Sequence, residues 1–244
     1  MKIYFAGSEN MTHLTSLREL DAEHFLASFY SIKKWHFTPE EKVLLDSGGF
    51  TARTKGVDIN VHEYCDFINK NEVKLAINLD TNDVDETLKN QEIIEKETDA
   101  YIMPVYHLSD CISKDYKGLL DDFINNYPYI CIGGMAGGRN KKTQVKRFLD
   151  YVFSKTKDKT KVHGLGLTGE KFTETYPLYS IDSTSWLSFQ IFGQSRVVKN
   201  KLLVKFHNKE THYSERNAFE IKYWIKRQEY LNTLWDKRGV SWNE

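Results

Sequence analysis

Short apolar runs alternate with longer stretches of mixed polarity along most of this chain. The runs cover Lys2–Ala6 and residues 43–45, 74–79, 101–106, 129–132, 161–167 and 178–181. Their apolarity is mostly continuous rather than alternating, as expected of strands buried on both faces of a parallel sheet. Polar-faced helices are predicted between them, over residues 62–71, 84–98, 114–126, 143–155 and 170–176. Strand, helix and strand at this spacing read as repeated βαβ units. Seven strands are visible, and an eighth is expected at residues 29–33 or at Leu202–Phe206. The count favours a (β/α)8 TIM barrel over an open doubly wound sheet.

The end of the chain has a different pattern. Ile221, Trp224, Ile225, Leu231, Leu234 and Trp235 form an apolar stripe at helical spacing, and Gly239 stops it. The expected organisation is a barrel over residues 1–195 and a C-terminal strand and helix extension, 196–244, packed on it. Lys222, Lys226 and Arg227 on the exposed side of that helix are open to phosphate contacts. The basic stretch 154–161 precedes a strand and is expected as a solvated turn on the bottom face.

Composition narrows the class. The chain has 244 residues, 40% hydrophobic and 28% charged, which suits a globular α/β protein with a real core. No apolar run approaches the ~20 residues that span a bilayer, and the apolar part of the N-terminus is too short for a signal peptide. Cys65, Cys111 and Cys131 are scattered and odd in number, which argues against a disulfide framework and a compact zinc site. A reducing cytoplasm is the expected location. Net charge is zero, yet residues 196–244 hold 11 Lys and Arg against 6 Asp and Glu. A neutral protein with a basic region can still bind a polyanion through one face.

In barrels of this kind chemistry sits where strands end. Asp46 ends one run, in Asp46-Ser47-Gly48-Gly49-Phe50. Asp80 ends the next, His107 the one after, and Gly133-Gly134-Met135-Ala136, His163-Gly164-Leu165-Gly166 and Asp182 follow. Each alone has an ordinary explanation, since Asp, Ser and Gly dominate turns and an Asp can cap a helix. Asp83 and Asp85 are read that way, as the start of the helix after Asp80. The joint convergence of three carboxylates, a histidine and two glycine-rich turns on one face points to a site.

These motifs, in this order across residues 40–190, resemble the queuine tRNA-ribosyltransferase (tRNA-guanine transglycosylase) superfamily. Its compact DNA-modifying branch, found in phages and bacterial DNA-modification systems, is the most similar. The resemblance implies a pentosyltransferase on a (β/α)8 barrel that exchanges guanine in a nucleic acid for a free 7-deazaguanine, through a covalent sugar–enzyme intermediate and without cofactor or metal. It implies Asp182 as nucleophile and Asp46 as acid/base. Asp80 would read the base's N–H edge, with two coplanar acceptors suited to it. Gly133 and Gly134 would present backbone donors, and Phe50 would stack on the base. Ser47, Gly48, His107, His163 and Gly164 complete the implied pocket. The chain departs from the tRNA enzymes in lacking their zinc subdomain, in Tyr106-His107 where they carry Gln-Gly, in His163 where they carry Met, and in Ser183-Thr184-Ser185-Trp186 after the nucleophile.

Arg53, Lys55, Arg139, Lys141 and Lys142 follow these motifs and are expected to form a phosphate-contacting rim. A paired base cannot reach a barrel mouth, so the target nucleotide would be flipped out or single-stranded. DNA is the expected substrate and tRNA the alternative, with no membrane partner; a homodimer or a partner protein is left open. If the gene is a phage's, the enzyme would act in the host cytoplasm. Two readings of other classes compete: a metal-dependent phosphodiesterase using Asp46, Asp80 and Asp182, and a non-catalytic nucleic-acid-binding barrel.

Overall fold

A computed structural model of the chain describes residues 1–113, 118–135, 142–157, 159–187, 195–199, 202–206 and 213–242. The strands β1 (Lys2–Ala6), β2 (His24–Ser28), β3 (Lys42–Asp46), β4 (Leu75–Ile77), β5 (Tyr101–Met103), β6 (Val105–His107), β7 (Tyr129–Gly133), β8 (Lys161–Gly164) and β9 (Ser180–Ser183) form one all-parallel sheet in the order β5-β4-β3-β2-β1-β9-β8-β7-β6. Its two end strands are one stretch of chain interrupted by Pro104, which has no N–H to give a ladder. β5 pairs with β4 and β6 with β7, and Cys131 N donates to Pro104 O at 2.8 Å. Counted as one bent strand, residues 101–107 close an eight-stranded barrel, so the (β/α)8 architecture is as expected.

The eighth strand lies at neither expected place. It is β2, paired between β1 and β3. Residues 29–33 are the turn that follows it, and Leu202–Phe206 forms an antiparallel hairpin with Ser195–Lys199, apart from the barrel. The pattern hid β2 because its apolar run is only Phe25-Leu26-Ala27 and its inward positions begin with His24, a polar residue that is 3% exposed.

Alternation along each strand separates two cores. Tyr4, Ala6, Leu26, Leu44, Ile77, Met103, Val105, Tyr129, Cys131 and Tyr179 pack together inside the barrel. Ile3, Phe5, Phe25, Leu45, Ile130, Ile132, Val162 and Ile181 face the surrounding helices. Asp46 has the parity of Leu44, and Asp182 the opposite parity to Ile181, so both carboxylates point to the barrel axis.

The helices start on local signals. Asn10 caps α1 (Met11–Arg18) and Asn60 caps the helix Val61–Lys70. Asp83 caps the helix Val84–Glu97 through Glu86 N at 2.8 Å, with Asp85 in its first turn, as read from the sequence. The long C-terminal helix, Tyr213–Asp236, packs against β1, α1 and the helix Glu170–Thr175, the place of the eighth barrel helix. Ile221, Trp224, Leu231 and Trp235 of the expected stripe are buried there. Arg227 pairs with Glu174 at 2.7 Å, and Trp235 Nε1 donates to Thr173 O at 3.0 Å. Beyond it Trp242 meets Tyr179 edge-on, with ring centroids 6.3 Å apart, at the bottom of the barrel. No described helix is long and apolar enough to cross a membrane.

Candidate active site

The C-terminal ends of the strands surround a cavity of about 700 Å³. Asp46, Phe50, Arg53, Asp80, His107, Gly133, Gly134 and Asp182 line it, eight residues contributed by the ends of five strands. Its size suits a small ligand such as a nucleobase with its sugar.

Asp46 ends β3 where the chain turns sharply. Gly48 supplies the turn with φ +76°, and any Cβ there would lie 2.4 Å from Tyr30 Cβ, so only glycine fits. The Gly48 N–H donates to Asp46 Oδ2 at 3.1 Å. Burial pushes the Asp46 carboxyl up to about 7, and the charges of Asp80 and Asp182 add to the shift. At neutral pH this group both gives and takes a proton.

Asp80 sits in the opposite electrostatic setting. His107 Nε2 is 2.9 Å and Arg53 Nη2 is 3.3 Å from its Oδ2, and Arg53 Nη1 also donates to its backbone oxygen. Burial opposes its ionisation, but these two partners outweigh burial and hold it below the usual carboxylate range. Burial likewise works against charge on His107, yet Asp80 and Asp110 raise its pKa. Asp110 also accepts the His107 backbone N–H at 2.7 Å. Oδ2 takes both contacts, which leaves Oδ1 for a ligand.

Asp182 is fixed by one oxygen. Its Oδ1 accepts the Gly166 N–H at 2.8 Å and lies 3.3 Å from His163 Nε2. Gly166 has φ +61°, which lets the β8 loop turn its amide back toward β9.

Several expected residues have other placements. Arg53 is not on the rim; it is held inside the cavity by Asp80. His163 does not line the cavity; it is fully buried beneath Asp182 and cannot stack on a ligand. Gly164 is packed under Leu167 and Leu178, within the barrel wall. Ser47 is buried and serves the turn, donating to Asn78 O at 3.2 Å and accepting from Gly49 N. Gly48 shapes the loop without lining the cavity. Phe50 is 71% exposed at the mouth. Lys55 lies over the Tyr30 ring at 5.2 Å, and Lys142 is exposed at the start of the helix Lys142–Thr156. Arg139 and Lys141 lie outside the described residues.

Two contributors went unread in the sequence. Glu9, just past β1, lines the cavity, and burial pushes its carboxyl up. The same strand-end rule, applied to the first strand, would have found it. Gly166, whose N–H holds Asp182, is the other. Among the described residues no group of three or more His, Cys, Asp and Glu side chains is arranged to hold a metal ion. The guanidinium and imidazole on Asp80 occupy the place that a cation would take there. No family model and no curated protein matches the chain.

Proposed function

We propose that this protein is a guanine transglycosylase, exchanging guanine in a nucleic acid, DNA in the first instance, for a free 7-deazaguanine. The observation that carries the reading is the contrast between two carboxylates on one cavity. Asp46 is held near neutral pKa by burial, and Asp182 is oriented by two donors on a single oxygen. A pair of carboxyl groups with separated tasks is what double displacement at a sugar carbon needs.

In the first step an Asp182 oxygen attacks C1′ and the C1′–N9 bond breaks. The departing guanine takes its proton from Asp46, and an aspartyl–sugar ester is formed. In the second step the 7-deazaguanine enters, gives its N9 proton to Asp46 and attacks C1′. The ester bond breaks and Asp182 is released. Two displacements retain the configuration. Asp80 accepts from the base's N–H edge through Oδ1, Gly133 and Gly134 face its carbonyl edge, and Phe50 stacks at the mouth. Lys55 and Lys142 suit phosphate contacts, which position the strand without reading sequence.

Trapping tests the reading. The protein is incubated with guanine-containing DNA or tRNA and a 7-deazaguanine, then run on a denaturing gel beside Asp182→Ala. A DNA adduct absent from the variant supports it. An adduct with tRNA alone moves the substrate to RNA. No adduct with either refutes the covalent mechanism.

A further inference from the structure

Behind Asp182 a chain of hydrogen bonds runs into the closed interior of the barrel. His163 Nε2 faces Asp182 Oδ1, His163 Nδ1 bonds to Ser180 Oγ, and Ser180 Oγ bonds to the Tyr129 hydroxyl. His163 and Ser180 are 0% exposed and Tyr129 is 8% exposed, and none of the three lines the cavity. The Tyr4 ring stands edge-on to His163, with centroids 5.8 Å apart. Cys131 is its neighbour on β7.

This chain has one consistent direction. Among the described residues the Tyr129 hydroxyl hydrogen-bonds to no side chain other than Ser180, and burial keeps it protonated. It therefore donates to Ser180 Oγ. The single Ser180 proton then goes to His163 Nδ1, and the ring proton must sit on Nε2, pointing at Asp182. The reverse order would leave the buried Tyr129 proton without a side-chain acceptor among the described residues. Ser, His and Asp thus occur together, but the serine is sealed inside the barrel and cannot be a nucleophile. Its task is to set the imidazole.

We infer that Tyr129, Ser180 and His163 form a proton-ordering relay that positions Asp182, tying down Oδ1 and leaving Oδ2 as the oxygen that attacks the sugar. The relay deepens the transglycosylase reading and rests on it for the identity of the reaction, but its hydrogen-bond order does not. His163 is a positioning residue: it touches Asp182 and not the substrate. The same logic governs metal sites, where the partner of a ligating histidine fixes its tautomer and orientation.

Two measurements test this. Nitrogen-15 NMR on histidine-labelled protein reads the tautomer directly, with the His163 signals assigned by their absence in His163→Gln. A protonated Nε2 and an acceptor-type Nδ1 are expected; a protonated Nδ1 overturns the relay. The rate of adduct formation is then compared in His163→Phe, which fills the space without a donor, and His163→Gln, whose amide restores one. Loss of about 10- to 100-fold in His163→Phe with unchanged binding of the free base, and recovery to within a few-fold in His163→Gln, is expected. Equal rates in wild type and His163→Phe overturn the positioning role. If wild type forms no adduct, the proposed reaction fails, while the tautomer measurement still decides the relay.

Discussion

The His107 imidazole lies against Gly133, so close that a Cβ on that glycine would sit 2.9 Å from both Nδ1 and Cε1. The glycine at the end of β7 is therefore needed by the protein itself, before any ligand arrives. Its bare Cα lets His107 reach Asp80 across the cavity. Gly133→Ala should push the ring away and break the 2.9 Å contact with Asp80. The expected cost is about 1–3 kcal/mol of stability, typical of overpacking, with weaker binding of the free base. Denaturant melts and base titration of the variant check both; a variant as stable and as tight-binding as wild type refutes the account.

Asp46 gives the protein a pH-dependent stability of known sign. Its carboxyl is pushed up to about 7 in the fold from an ordinary 3.8, so the folded state holds the proton more tightly than the unfolded chain. That contribution is complete below pH ~4 and is lost as pH rises toward and through 7. At ~1.4 kcal/mol per unit over about 3 units it amounts to roughly 4 kcal/mol. Asp46→Asn should thus match wild type near pH 4 and exceed it in stability at pH 8, while losing base exchange. Urea melts at the two values decide it, and a difference independent of pH counts against burial as the cause.

Arg53 makes the opposite contribution through Asp80. The depressed Asp80 carboxyl stabilises the fold above its unfolded pKa, an advantage lost as pH falls through the folded value. Arg53→Ala should cost about 1–3 kcal/mol at neutral pH, less below pH ~4, and should abolish base binding. Arg53→Lys is expected to fail as well, because a lysine cannot reach the Asp80 carboxylate and backbone oxygen together. Calorimetry across pH separates this from a loss of packing, which would not vary.

Two apolar residues should divide stability from binding. Leu231 of the C-terminal helix is 0% exposed and Phe50 is 71% exposed. Leu231→Ala should cost about 2–5 kcal/mol, because it opens the joint where the last helix seals β1. Phe50→Ala should change stability by less than about 0.5 kcal/mol yet weaken base binding by about 1–3 kcal/mol through lost stacking. A large stability loss in Phe50→Ala would mean that the ring packs onto the fold rather than waiting at the mouth.

The alternation of apolar runs and polar-faced helices determined the barrel by itself, because strands buried on both faces must be apolar throughout. The same pattern placed Asp46, Asp80, His107 and Asp182 at strand ends, where the fold has few positions for them other than the mouth. The sequence could not find β2, since its apolar run is only Phe25-Leu26-Ala27, bounded by the polar His24 and Ser28. It also could not assign partners. Arg53 reads as a basic loop residue until the turn at Gly48 swings its helix beside Asp80. His163 reads as a pocket residue until alternation along β8 puts it under Asp182, with Ser180 and Tyr129 behind it. Strand identity follows from local periodicity, whereas which side chains meet across a closed barrel depends on register and stagger between strands far apart in the chain. Those are fixed only when the barrel closes.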